Sequence, residues 1–414
     1  MLFETERFGL FVHWGLYALR GWHEQEQWRY PVEDHVYRQY QHQFCPTCFD
    51  PDEWVRTAKN AGMDYLCFTT KHHDGFCMWD AADTDYKVTN TPYGRDVLAE
   101  LAQACHRGGL GLSLYYSVPD WHHKNYPNFG RSHELAVPKE GDEPDEDQYI
   151  AYVKRQVTEL LTKYGKIESF FWDIPPLRQD PSVNELVRSL QPGILINNRG
   201  YDSGDFATPE RETPSGGKFE RLTEACQSVG RQAWGYRRNE DYYSHFFLMS
   251  SIDRIMSMGG NYVLNVGPDA EGRFPAPALE TLQAVGKWYC QCWPALTAEP
   301  ASELFPEEAF FTTRRGNTLY FHFPAPPEAS GIFLPSVKDL PCEAIVLNDQ
   351  TPLQVSFDLM PTLCCPPEHS APVLHINGIP VNRLQGEVIV LKLTFDSVEE
   401  AICRNADRKK ESRF

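Results

Sequence analysis

Phe8-Gly9-Leu10-Phe11-Val12 runs directly into His13-Trp14-Gly15: a short apolar strand, then a polar and aromatic exit. The same pattern returns along the chain. Tyr65-Leu66-Cys67-Phe68 leads to Lys71-His72-His73-Asp74-Gly75, and Leu112-Ser113-Leu114 leads to Tyr115-Tyr116-Ser117. Phe170-Phe171-Trp172 ends at Asp173, and Ile194-Leu195-Ile196 ends at Asn197-Asn198-Arg199. Strands that fill an interior and carry chemistry at their C-terminal ends are the building plan of a (β/α) barrel. The pattern therefore gathers residues scattered along the chain into one pocket.

Helical spacing lies between these strands. Asp52 to Gly62 places Trp54, Val55, Ala58 and Ala61 on one side, and Asp96 to Gly108 repeats this with Val97, Leu98, Leu101 and Cys105. Gln148 to Gly165 carries the clearest apolar stripe, from Ile150 through Val153, Val157, Leu160 and Leu161 to Tyr164. Gly62, Gly108 and Gly165 stand where a helix C-cap is expected. Further helices are predicted over 182–190, 242–258 and 276–289. Weaker strands are predicted at Gln232-Ala233-Trp234 and Tyr262-Val263-Leu264, so a closed (β/α)8-like TIM barrel is expected rather than an open sheet. The turn after the first strand is no Gly-rich dinucleotide fingerprint, which disfavours a Rossmann fold.

After Trp293-Pro294 the texture changes. Prolines punctuate the chain and helical spacing gives way to β-rich runs at Thr318–Phe323, Gly331–Leu334, Ala344–Leu347, Val373–Ile376 and Glu387–Leu393. These predict a small C-terminal antiparallel β-sandwich. The expected division is a barrel over 1–294 and a sandwich over 295–414. A length of 414 residues agrees with two domains.

Composition narrows the function. A net charge of −18 argues against nucleic acid, anionic membranes and polyanionic substrates. The first residues do not resemble a signal peptide and no run of about 20 apolar residues is present, so a soluble, cytoplasmic protein is expected. Twelve cysteines are scattered, as suits a reducing compartment. Cys45-Pro46-Thr47-Cys48 is a lone CxxC, and Cys290 and Cys292 are too close to complete a zinc set with it. Aromatics make up 13% of residues; most serve as core, but aromatic faces also cover sugar rings.

Three features carry chemistry. Asp173 closes an apolar strand and is followed by Ile174-Pro175-Pro176, where prolines force the chain to turn. The carboxylate is then presented at a barrel mouth, unless it serves only as a turn cap. Glu210 lies in the loop Gly204-Asp205-Phe206-Ala207-Thr208-Pro209-Glu210, with Glu212 beside it as a reminder that loop glutamates are commonly just solvated. His72 and His73 can share a pocket only if their strand has ended. Together with His13 they could bind hydroxyls or, with a carboxylate, a metal, although no HxH or HExxH spacing is present.

Arg7 to Gly15, the Lys71-His72-His73-Asp74-Gly75-Phe76 stretch and Leu264-Asn265-Val266-Gly267-Pro268 resemble glycoside hydrolase family 29, the retaining α-L-fucosidases. The resemblance covers nearly all of 7–292. It implies an exo-acting enzyme that releases terminal α-L-fucose with retention through a covalent glycosyl-enzyme. Asp173 would be the nucleophile and Glu210 the general acid/base. His13, His72, His73, Tyr115, Arg199, Trp28, Trp234 and Gln27 would bind substrate. No cofactor and no metal are implied. The partner would be a fucosylated oligosaccharide or glycoconjugate, and a homo-oligomer is left open. Two departures from the family pattern stand out: Gln27, in Glu26-Gln27-Trp28, holds the place of a sugar-binding glutamate, and Ile174-Pro175-Pro176 replaces glycines after the nucleophile. The competing expectations are a fucose-binding protein with weak or lost catalysis, a metal-dependent barrel hydrolase, and an enzyme for a related sugar such as L-galactose.

Overall fold

A computed structural model describes residues 2–30, 32–212, 217–306, 310–359 and 372–402. The chain divides into two compact units. The first takes Met1–Glu212, Arg221–Tyr243 and Asn261–Gln283; the second takes Thr213–Glu220, Ser244–Gly260 and Ala284–Phe414. The division therefore does not fall cleanly at residue 294, because two helical segments that precede it are grouped with the C-terminal part.

The first unit is built on a seven-stranded parallel sheet. Its strands are β1 (Phe8–Val12), β2 (Tyr65–Lys71), β3 (Gly111–Ser117), β4 (Ser169–Asp173), β5 (Leu195–Ile196), β6 (Glu224–Ser228) and β7 (Asn261–Val266). Their spatial order is β5-β4-β3-β2-β1-β7-β6. The sheet curls. Side chains from all seven strands, among them Phe11, Cys67, Tyr115, Phe171, Leu195, Cys226 and Val263, meet in one apolar cluster on its inner face. Tyr65 of β2 donates to buried Glu224 of β6 although two strands separate them in the sheet. Burial pushes the Glu224 carboxyl up to about 7, and the Tyr65 hydroxyl offsets part of that.

A barrel of eight regular strands is the sequence expectation, and seven are found among the described residues. Gln232-Ala233-Trp234 is irregular, and the strand lies earlier, at Glu224-Ala225-Cys226-Gln227-Ser228. The edge strands β5 and β6 do not pair. Between them, the 206–210 segment makes isolated parallel bridges: Asn197 to Phe206, Ala207 to Thr223 and Glu210 to Cys226.

Helix starts follow directly from sequence. Asp50, Asp96, Asp145 and Asp180 each cap a helix by accepting backbone N–H groups, and Pro51 and Pro181 open the first turn at two of them. Each cap contributes about 1 kcal/mol. At the end of helix Val97–Gly108, Gly108 is still helical and Gly109, at φ 63°, is the left-handed cap.

In the second unit, a five-stranded and a three-stranded antiparallel sheet meet in a common apolar core. Phe321, Leu391 and Leu393 come from the first sheet, and Leu334, Leu374 and Ile376 from the second. Strands Phe311–Arg315 and Gln354–Asp358 lie outside the predicted runs; both are rich in polar residues.

Candidate active site

Because the seven strands are parallel, their C-terminal ends share one side of the sheet. A cavity of about 450 Å³ opens there, lined by His13, His72, Tyr115, Asp173, Arg199, Glu210 and Trp234, with Phe11, Phe171, His133 and Gln25 among the others.

Asp173 ends β4 and is held from several sides. Tyr115 Oη donates to its Oδ2 at 2.7 Å, and Arg199 Nη1 lies 3.1 Å from its Oδ1. His73 Nε2 stands 3.7 Å from Oδ2, beyond hydrogen-bond range. Burial opposes ionisation of this carboxyl, but Arg199, His73 and Tyr115 outweigh it and hold the pKa down at about 2. The group is therefore a carboxylate across the ordinary pH range. The next residue, Ile174, has φ 60°, a region that β-branched residues rarely occupy. Glycines would take that backbone without strain, so the departure at Ile174 retains the left-handed turn at a steric cost.

Arg199 links the two acidic residues. Its Nη1 is 3.1 Å from Asp173 Oδ1 and 2.7 Å from Glu210 Oε2. The two carboxylate oxygens can be no farther apart than the sum of those distances. That bound accommodates the about 5–5.5 Å between the carboxyl groups of retaining glycosidases. Arg199 is itself held by Thr208, whose Oγ1 and carbonyl accept from Nε and Nη2 at 2.8 and 2.7 Å. Glu210 rides on the segment bridged between the edge strands and is 39% exposed, open enough to meet a leaving group and then water.

The histidines divide their work. Strand β2 ends at Lys71, so His72 and His73 lie past it and can face one region; their rings are 4.2 Å apart. His72 lines the cavity, stacks with Tyr115, and keeps a buried Nδ1 without a protein partner. His73 is not in the cavity wall; its Nδ1 bonds Ser117 Oγ at 2.6 Å, and it backs Asp173. His13 Nδ1 bonds Asn265 Oδ1 at 2.7 Å while Asn265 Nδ2 donates to Ser228 and Trp234. That network assigns the proton to His13 Nδ1 and turns Nε2 away as an acceptor. Burial lowers the pKa of His13, His72 and His73, the last to about 4. Trp234 stacks on His13 with ring centroids 5.3 Å apart.

The two sequence motifs thus mix site and scaffold. In Lys71-His72-His73-Asp74-Gly75-Phe76, Lys71 is buried against Asp120 at 2.8 Å, and Asp74 accepts from Tyr37 and from the Phe76 N–H. Gly75 has φ 78°, and a Cβ there would sit 2.3 Å from Asp120 Oδ1. In Leu264 to Pro268, Asn265 orients His13, a role that the motif alone does not disclose.

Two expected substrate residues lie elsewhere. Gln27 is buried and its amide faces Asp34; Gln25 reaches the cavity instead. Gln25 precedes the helical turn Glu26–Arg29, and residues two apart on a helix do not share a face. Trp28 does not line the cavity either; it stacks on His133, which does. His133 escapes sequence reasoning because its loop has no periodic pattern, and its φ of 65° leaves no signal in a non-glycine residue. Among the described residues, no three His, Cys, Asp or Glu side chains are grouped to hold a metal ion.

Comparison with known proteins points in the same direction. Residues 1–291 match the family model described as alpha-L-fucosidase. The chain is 27% identical to the tissue alpha-L-fucosidase of Bos taurus over 69% of its own length; that match spans 66% of the bovine protein. Among solved structures, it is similar to alpha-L-fucosidase isoenzyme 1 from Paenibacillus thiaminolyticus, with TM-score 0.83, 33% identity, and coverage of 95% of this chain and 97% of the other. A GH29 alpha-L-fucosidase from Bacteroides thetaiotaomicron, trapped as a covalent intermediate with 2-fluoro-fucosyl fluoride, aligns with TM-score 0.77 and 26% identity over 95% and 94% of the two chains.

Proposed function

The chain belongs to the alpha-L-fucosidase family, and from that premise we propose that it is an exo-acting, retaining α-L-fucosidase working on fucosylated glycans. The observation that carries the reading is the single guanidinium nitrogen of Arg199 shared by Asp173 and Glu210 in one cavity. The trapped intermediate of the Bacteroides relative supports a covalent route for this chain.

In this mechanism the Asp173 carboxylate attacks the anomeric carbon as the glycosidic C–O bond breaks. Glu210 gives its proton to the departing oxygen. Water then enters, gives a proton to Glu210 and attacks the same carbon, releasing fucose and restoring Asp173. Each attack inverts the centre, so the product keeps the α configuration. His13 and His72, both in the cavity wall, offer their rings to sugar hydroxyls, while Trp234, Phe11 and Phe171 cover the apolar parts of the ring. We read the 206–210 segment as the eighth stave that closes the barrel and so sets Glu210 opposite Asp173, and the two antiparallel sheets as a β-sandwich. The nine described cysteines are all free, which supports a reducing compartment.

A proton NMR time course with 4-nitrophenyl α-L-fucopyranoside tests the proposal. Release of α-fucose before mutarotation is expected; β-fucose as the first product, or no release, would refute it.

Arg199→Met gives a pH test. Arg199 is the foremost influence lowering the Asp173 pKa against burial. Without it the folded-state pKa rises, and the active carboxylate is lost at higher pH as the solution is acidified. The acid limb of kcat/KM should move upward from the wild-type position, alongside a large fall in kcat. An unmoved limb would contradict the role assigned to Arg199.

A further inference from the structure

A second, wider depression of about 1250 Å³ adjoins the catalytic one. Trp28, Phe129, Ser132 and Val137 line it, together with Arg131 and Lys139. We propose that this depression is the subsite for the leaving half of the substrate, a neutral pyranosyl residue that stacks against Trp28 and Phe129. The inference rests on the fucosidase reading and adds where the rest of the glycan sits.

His133 lines the catalytic cavity, and its ring stacks on Trp28 with centroids 5.2 Å apart and planes 16° from parallel. His133 also lies 5.3 Å from the His73 ring, which backs the nucleophile. The stacked pair therefore joins the two hollows, with His133 in the wall of the first and Trp28 in the wall of the second. A group leaving the anomeric carbon past that wall meets Trp28 next.

The segment from Tyr126 to Lys139 has no regular structure, yet it is tied down. Glu134 is 1% exposed and accepts from Tyr126 Oη at 2.9 Å, Phe129 N at 3.2 Å and Arg131 N at 3.1 Å. Leu135 N donates to Asn128 Oδ1 at 3.1 Å, and the His133 carbonyl accepts from Trp121 Nε1 at 2.8 Å. The left-handed backbone of His133 is held in place by these bonds. A loop fixed this way presents a preformed surface, which lowers the entropy lost on binding.

Phe129 is 58% exposed and Val137 69% exposed, both at this depression. Exposed apolar side chains gathered around one hollow mark a binding surface. The charges here are already matched: Arg131 pairs with Glu134, and Lys139 with Asp34 and the carbonyls of Trp121 and His122. Among the described residues, no unmatched charge remains at the lining to recruit an ionic ligand. Aromatic faces with amide, hydroxyl and carbonyl groups at the rim suit an uncharged sugar ring.

The test compares substrates with and without a sugar leaving group. α-L-Fucosyl fluoride places nothing in the depression; a panel of α-1,2-, α-1,3- and α-1,6-linked fucosyl disaccharides does. For Phe129→Ala, and separately Trp28→Ala, the ratio of disaccharide to fluoride kcat/KM should fall at least about tenfold, the loss expected when an aromatic anchor is removed. The fall should lie in KM. Phe129 is exposed, so its variant should keep the wild-type melting temperature and guard against loss of fold. An unchanged ratio in the Phe129 variant would overturn the proposal, as would a wild type that hydrolyses the fluoride but none of the disaccharides. Failure of the wild type on fluoride as well would instead strike the fucosidase reading itself.

Discussion

Asp173→Ala is expected to lower kcat/KM for 4-nitrophenyl α-L-fucoside by about 10⁴-fold or more, the scale of removing a covalent nucleophile. The reason is in the geometry. Tyr115, Arg199 and His73 all converge on this one carboxylate, and the other carboxylate of the cavity lining, Glu210, stands on the far side of Arg199. Alanine also leaves a space open at the end of β4. Azide should enter it and restore part of the rate, and its product should be the β-fucosyl azide, inverted because only one displacement occurs. Undiminished turnover in the variant, or an azide product of α configuration, would remove Asp173 from the role of nucleophile.

Glu210→Gln should separate two substrates that differ only in what leaves. A sugar or alcohol oxygen needs a proton as it departs, and losing that assistance costs about 10²–10⁴-fold. Fluoride departs without it, so the first displacement with α-L-fucosyl fluoride should survive. The second step still needs Glu210 to take a proton from water. The variant should therefore release a burst of fluoride equal to the enzyme concentration and then slow sharply. The open placement of Glu210, across the Arg199 nitrogen from Asp173, is what lets one residue serve both steps. Equal losses for both substrates with no burst would show that the acid/base lies elsewhere.

How much of this is legible in the chain depends on what each element is made of. Strands β1 to β4 announce themselves because each is an apolar run stopped by polar residues, and the nucleophile stands at such a stop. Strand β6 does not: Glu224, Gln227 and Ser228 are polar yet buried, since the curled sheet gives Glu224 a partner in Tyr65. Apolarity cannot reveal a strand whose polar residues are satisfied by long-range contacts. Glu210 shows in the chain only as one loop glutamate beside Glu212, and the resemblance is what separates the two, because its position comes from bridging to Cys226 that no local pattern encodes. Gln27 shows the opposite failure. Its place in the first loop is plain from the motif, but the direction of a side chain on a single helical turn is set by a register the sequence leaves open. The loop that carries His133 is held by Glu134, a buried carboxylate whose partners Tyr126, Phe129 and Arg131 all come from the same loop, and such loops leave no periodic trace.

The central claim is that Asp173 becomes covalently glycosylated. The most direct measurement is to incubate the protein with 2-deoxy-2-fluoro-α-L-fucosyl fluoride, digest it, and locate the label by tandem mass spectrometry. A single fluorofucosyl ester on Asp173 is the predicted result. A label on any other carboxylate, or an active enzyme that is never labelled, would contradict it.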